Sequence, residues 1–183
     1  MAKHDLRVQK TLKAIENALI QLLAEKTYLE ISVQELIERA MINRKTFYTY
    51  YSGKDDLVGQ LIQNFLLEYQ SLIDKRQETA NLKELLQNAT PFFFERRQLV
   101  LALWKIETKR HHLYADMQQM LKQGFIELAN RRTGIAKERD FQATLFATLA
   151  LNSAKYFFER GEIMPVSNTF VDWHEMLEIV ELK

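Results

Sequence analysis

Between Ser32 and Lys54 the chain reads SVQELIERAMINRKTFYTYYSGK, and two helix-capping signals stand only eleven residues apart, at Ser32 and Asn43. That spacing leaves room for two short helices and a tight turn. A serine hydroxyl accepts from the unpaired amides of a first helical turn, and Glu35, three residues on, reaches back to the Ser32 amide to complete a capping box. The first helix then shows Leu36, Ile37 and Ala40 on one side, with Glu35, Glu38 and Arg39 toward water. Met41-Ile42-Asn43 forms the turn, and Asn43 caps a second helix over Arg44–Tyr51. Phe47 and Tyr51 share one face of it at i, i+4 spacing. Its other face, Arg44, Lys45, Thr46, Tyr48 and Tyr50, is rich in donors. A helix, a three-residue turn and a helix with a basic start make the helix-turn-helix pattern.

This pattern suits duplex DNA, whose major groove admits one helix between two rows of phosphates. Arg44 and Lys45 at the start of that helix have the reach for guanine edges, and Thr46 for a thymine methyl or a phosphate. The hydroxyls of Tyr48 and Tyr50, with Lys54, suit the flanking backbone. An Arg-Lys pair alone describes any solvated helical hairpin. The coincidence of two caps, an aromatic cluster and this spacing favours the nucleic-acid reading.

The run Phe47-Tyr48-Thr49-Tyr50-Tyr51-Ser52-Gly53-Lys54-Asp55-Asp56-Leu57 carries a closer likeness. An aromatic run followed by a lysine, an acidic pair and a leucine resembles the end of the recognition helix in TetR-family transcriptional regulators, and the resemblance extends over about residues 7 to 66. It implies that Ser32, Asn43, Arg44, Lys45, Thr46, Tyr48, Tyr50 and Lys54 contact DNA, with Ser32 holding phosphate. It also implies a homodimer, a double-stranded operator with two half-sites, and a small-molecule effector. The family usually has glycine where Met41 stands. Glycine takes a left-handed backbone conformation at little cost and methionine does not, so a strained or differently closed turn is expected.

An all-α fold of about nine helices follows from five glycines and two prolines in 183 residues, with leucine, glutamate, lysine and glutamine abundant. The absence of cysteine excludes disulfides and thiolate metal sites and fits a cytoplasmic protein. No apolar run approaches the ~18 residues of a membrane span, and the polar start MAKHDLRVQK shows no secretory pattern. A net charge of +1 is low for a purely electrostatic nucleic-acid binder.

Residues 1–54 read as the helix-turn-helix domain, 55–75 as a bridging helix and 76–183 as a carboxyl-terminal domain for ligand binding and dimerisation. Helix one, from about Leu6 to Glu25, carries Val8, Leu12, Ile15, Leu19 and Leu22 on one stripe. Ser52 reads as the N-cap of the bridging helix, whose stripe from Leu57 to Ile73 is too long for the small domain alone. Lys75–Asn81 is a polar linker. Pro91 predicts a break or kink in the helix that begins near Leu82. Another amphipathic helix spans roughly His112 to Arg132. Phe141 to Phe158 is apolar on nearly every side and needs a second surface to cover it. With the last helix it suggests a four-helix dimer interface using Phe141, Leu145, Leu149, Phe170, Trp173 and Leu177.

Aromatic and methionine side chains at Phe93, Trp104, Met117, Met120, Phe125 and Tyr156 are either plain core or the lining of an adaptable apolar effector pocket. His111-His112 reads as a helix start or surface pair, because neighbours on a helix diverge by about a hundred degrees; no metal or cofactor site is expected. There is no phosphate-cradling glycine loop, GxSxG, HExxH or cysteine nucleophile, so catalysis is not expected. The reading that results is a ligand-responsive transcriptional repressor. Its rival keeps the fold as a sensor or protein-interaction module without productive DNA binding.

Overall fold

The computed structural model describes residues 2–74, 82–134 and 138–181. Among them are nine α-helices, one 3-10 turn and no strand, so the all-α expectation holds. The chain divides into two compact units: the residues up to Leu66 together with Gln98–Leu113, and Leu67–Arg97 together with the residues from Tyr114 on.

The first unit contains α1 (Ala2–Glu25), the 3-10 turn Tyr28–Glu30, α2 (Val33–Arg39), α3 (Arg44–Tyr50) and the start of α4 (Lys54–Asp74). The stripe of α1 is buried through Ile15, Leu19 and Leu22, joined by Leu36, Ile37, Phe47, Leu57 and Val58. At the far end of α2 and α1, Arg39 donates to both carboxylate oxygens of Glu25, at 2.7 and 2.9 Å. Apart from Arg97, α6 (Arg97–Leu103) also belongs here. The sequence reading had placed it in the carboxyl-terminal domain. Val100, Leu103, Ile106 and Leu113 are no more than 1% exposed, and Lys105 Nζ donates to the Leu23 carbonyl at 3.2 Å. These pairings join residues some eighty positions apart, which no local pattern reveals.

In the second unit, α5 (Leu82–Glu95) packs against α9 (Val166–Glu181), with α7 (Leu113–Thr133) and α8 (Asp140–Glu159) completing the bundle. The break expected at Pro91 is absent, and α5 runs through it. An interior proline costs roughly 3 kcal/mol; here Leu86, Ala89 and Thr90 are buried around it, and the Thr90 hydroxyl donates to the Leu86 carbonyl at 2.7 Å. On α8 the inward face is Ala143, Ala147, Ala150 and Leu151, while Phe141, Leu145 and Tyr156 are exposed. Phe125, Phe146, Phe170 and Trp173 form one aromatic cluster, and the Trp173 indole donates to Ser153 at 3.1 Å.

Two further expectations meet a different outcome. Ser52 is not an N-cap: α4 begins at Lys54, and the Ser52 amide and hydroxyl donate back to the Asp56 carboxylate, at 2.7 and 3.1 Å. His111 is not a surface residue, being 4% exposed, although His112 is exposed. The linker at 75–81 lies outside the described residues.

Met41 has φ +52°, so the turn closes as glycine would close it. The amide of Met41 donates to the Glu38 carbonyl at 3.1 Å and that of Ile42 to the Ile37 carbonyl at 3.2 Å, the pair of bonds of a Schellman ending. The same pair recurs after α8, where Gly161 at φ +72° donates to Phe158 and Glu162 to Phe157. A left-handed L-residue costs about 1–2 kcal/mol, and glycine loses about 0.5–1 kcal/mol more chain entropy on folding. Met41→Gly should therefore raise the unfolding free energy by roughly 0.5–1 kcal/mol in urea titration. A destabilised variant would show that Met41 contributes contacts worth more than its strain.

Candidate nucleic-acid interface

Two local bonds set the start of α2 and α3. Ser32 Oγ accepts from the Glu35 amide at 3.2 Å, and the Ser32 amide donates to Glu35 Oε2 at 2.9 Å. At α3, Asn43 Oδ1 accepts from the Thr46 amide at 2.7 Å and the Thr46 hydroxyl at 2.8 Å. α3 is then oriented by its apolar side. Phe47 is fully buried and Tyr51, just past the helix, is 6% exposed, with ring centroids 5.7 Å apart. Burying that side turns the donors outward.

Arg44 and Lys45 are exposed, and among the described residues no ion pair engages either one. Tyr48 is 44% exposed, its ring edge-on to Phe47, with the Arg44 guanidinium 5.5 Å from its centroid. Thr46 and Tyr50 look the other way, into an open groove of about 390 Å³ between α1 and α3. Arg7, Val8 and Thr11 of α1 line its opposite wall, and Met41, Ile42, Asn43 and Thr49 complete it. Of the predicted set, Asn43, Arg44, Lys45, Thr46, Tyr48 and Tyr50 are thus gathered on or beside α3. Thr11 was not among the predicted site residues, whereas Arg7, with Lys3 and Lys10, reads in the sequence as able to lie against phosphates; the signal for both is that they precede Ile15 and Leu19 at i, i+4 spacing on one side of α1.

Ser32 and Lys54 are placed differently. The Ser32 hydroxyl donates its one proton to Glu35 Oε2 at 2.8 Å, within the capping box. Lys54 Nζ donates to the carbonyls of Tyr28, Leu29 and Ile31, at 2.9, 3.2 and 2.7 Å, and lies 4.7 Å from the Tyr28 ring centroid. An ammonium has three donors, and all three meet the carbonyl end of the 3-10 turn. Lys54 therefore fastens the 3-10 turn to the start of α4. Thr27 and Glu30 carry the readable hint, since they form a capping box of their own around that turn.

Charge reinforces this frame. Glu35 is lowered to about 2, chiefly by its bond to Lys26 and then by Ser32; Arg39 holds Glu25 below the ordinary carboxylate range, and the Ser52 amide does the same for Asp56. Depressed carboxylates stabilise the fold above their ordinary range, and that contribution is lost as the pH falls toward the folded values.

Of the residues expected to line an effector pocket, Trp104 belongs to the first unit and the other five to the second. Phe93 packs on Tyr69 at 4.9 Å, Phe125 stacks on Phe146 at 5.3 Å, and Tyr156 is 52% exposed beneath the Arg160 guanidinium. Met117 is buried and Met120 half-buried. Of the interface set, Phe141, Leu145 and Leu177 are exposed, Leu149 is half-buried, and Phe170 and Trp173 pack half-buried in the aromatic cluster. Val171, Met176 and Ile179 add exposed apolar surface that a single stripe on α9 did not reveal. No group of three or more metal-ligating side chains occurs among the described residues, and no described helix is long and apolar enough to cross a membrane.

Residues 15–61 match the family model described as "Bacterial regulatory proteins, tetR family". An uncharacterized HTH-type transcriptional regulator of Bacillus subtilis, YxbF, is 23% identical over 98% of this chain and 47% of its own length. The HTH-type dhaKLM operon transcriptional activator DhaS of Lactococcus lactis is 33% identical over 58 residues, 32% of this chain and 31% of its own. The chain thus spans about half the length of the first relative, and the match to the second is confined to about a third of each. Among solved structures, a gamma-butyrolactone receptor (ArpA-like protein) superposes with a TM-score of 0.63 at 16% identity, over 94% of this chain and 98% of that one. A TetR transcriptional regulator from Streptococcus agalactiae gives 0.61 at 23%, over 96% and 97%. At these identities the likeness establishes the fold.

The placement of Lys54 yields a direct test. Lys54→Met should lower the unfolding free energy by about 1–2 kcal/mol, the range for charge-assisted bonds discounted for partial exposure. Unchanged stability in urea titration would return Lys54 to a solvent-facing role.

Proposed function

We propose that this chain, whose residues 15–61 match the tetR family of bacterial regulatory proteins, is a regulator of that family that binds a palindromic operator as a homodimer and represses transcription in response to a small molecule. The observation that carries the DNA-binding part is the α3 surface. Two cations and a tyrosine stand exposed on a helix whose opposite side is locked by Phe47. Arg44 and Lys45 read base edges, Tyr48 and Tyr50 meet the backbone, and Arg7 and Asn43 flank them across the groove.

Dimerisation is supported by apolar surface that a monomer leaves in water. On α8 and α9, Phe141, Leu145, Val171, Met176, Leu177, Ile179 and Val180 are all 45% exposed or more. Exposed apolar residues in one contiguous region mark interfaces, and twofold pairing matches the two half-sites of an operator. The sensing part is supported by α7 and α8 of the second unit. A part-buried polar pair, Gln118 with Thr148 at 3.1 Å, joins these two helices, and α7 also carries Met117, Met120 and Phe125. Small-molecule sites combine a few placed polar groups with an apolar lining in this way. Screening compounds for release of the operator complex tests it. Repression is the simplest outcome of operator occupancy; a reporter whose output rises with this protein would reverse the sign and make it an activator, as the Lactococcus relative is named.

Sequencing fragments selected from a random duplex pool should return an inverted repeat, and Arg44→Ala should cost roughly 1–3 kcal/mol at one base position of each half-site. Selection that enriches nothing at low salt, from folded protein, would favour the interaction-module reading. Replacing Leu177 and Val180 together by glutamate should convert a dimer into a folded monomer by sedimentation. An undisturbed dimer would place the interface elsewhere.

A further inference from the structure

Within the first unit, one buried titratable group is not used by the DNA-facing surface. His111 follows α6, and its main chain is tied by Thr108, whose amide donates to the His111 carbonyl at 2.9 Å and whose Oγ1 accepts the His111 amide at 2.9 Å. The imidazole enters the core edge-on to Tyr28, at 6.3 Å and 89°. Gly59 lies beside it, where a Cβ would stand 3.4 Å from His111 Cε1, an ordinary contact distance. Its Nε2 is buried without a hydrogen-bond partner and stands 3.8 Å from Asp55 Oδ1. Tyr28 donates its hydroxyl to that same Asp55 oxygen. Tyr28 also lies beneath Lys54, which fastens the 3-10 turn to the start of α4.

We propose that His111 is a protonation-controlled latch, seating residues 106–112 on the 3-10 turn and the first turns of α4 when neutral and releasing them when charged. Every facing group bears on the sign. Burial opposes the imidazolium most strongly; Arg110 and His112 on its own segment oppose it too, while Asp55 on α4 favours it through its carboxylate and main chain. Tyr28 stays neutral, its ionisation raised by burial and then by Asp55, and it already occupies the Asp55 oxygen nearest the ring. At 3.8 Å, with an Asp55 side chain 54% exposed, the attraction is too weakly directed to offset desolvation. The seated imidazole is therefore held below its ordinary 6.5. A group so depressed stabilises the seated state above its ordinary value, and that contribution is lost as pH falls through the seated value. Because Lys54 and Asp55 lie in the turn that carries the latch, its release loosens the frame on which α3 rests, a consequence that depends on the DNA reading above.

The decisive measurement is an NMR titration of the intact protein, following the His111 ring and the amides of residues 106–112. A ring midpoint below 6.5, with those amides and Tyr28 shifting alongside it, is the expected result. A midpoint at or above 6.5, or amides that ignore the ring, would overturn the latch. In His111→Phe, which keeps a ring against Tyr28, those amides should lose their response between pH 5 and 7; a retained response also overturns it. If that variant does not fold, the wild-type titration decides alone. Affinity for a selected duplex, read by fluorescence anisotropy, should fall at acid pH in the wild type and less in His111→Phe. Absence of DNA binding at any pH would defeat the DNA reading and leave the latch to the ring titration.

Discussion

A helix of seven residues does not hold itself together in water. Its nucleation cost is recovered only through tertiary packing, so everything that α3 presents to solvent depends on Phe47 being fully buried and Tyr51 nearly so. Around that anchor the domain closes by short polar connections: Asn43 holds the first turn, Gln60 Nε2 reaches the Tyr50 carbonyl at 3.4 Å, and Lys54 draws three carbonyls of the preceding 3-10 turn to the start of α4. The exposed cations are thus mounted on a frame whose own charges are satisfied within it. A chain carrying a net charge of only +1 can still present two exposed cations side by side on one short helix.

How much of this was legible depended on the range of the interaction. The caps at Ser32 and Asn43, the bounds of α2 and α3, and the inward turn of Phe47 and Tyr51 are all decided within four residues, and a local pattern reveals them. The misplaced residues are those whose partners are distant. Lys54 meets carbonyls 23 to 26 positions earlier, and His111 is buried against Tyr28 and Asp55. Pro91 reads locally as a helix breaker, but packing around Leu86, Ala89 and Thr90 carries α5 through it. Ser52 failed for a subtler reason: Asp56 accepts its amide and hydroxyl, so the capping polarity runs backward from the one expected.

The two Schellman endings form an internal comparison. After α8 the left-handed position is Gly161, and after α2 it is Met41, with the same bonding around each. The sequence departure at Met41 therefore changes the cost of the turn and not its shape. Its side chain is 92% exposed and lines the groove that Arg7 and Tyr50 share. The exposure puts a flexible thioether, where glycine would leave bare backbone, at the edge of the surface assigned to DNA.

On α8 the buried side carries alanines at 143, 147 and 150 beside Leu151 and Phe158, while Phe141, Leu145 and Tyr156 are exposed. Close helix approach needs small residues, and they accept few replacements because the interior is densely packed. The outward positions carry no such obligation. On the proposed dimer reading, folding and partner choice are written on opposite sides of one helix, and the outer side is open to drift without endangering the inner. Where duplicated copies of such a gene coexist in one cell, this separation gives each a route to stop mixing with its siblings while every copy keeps the same scaffold.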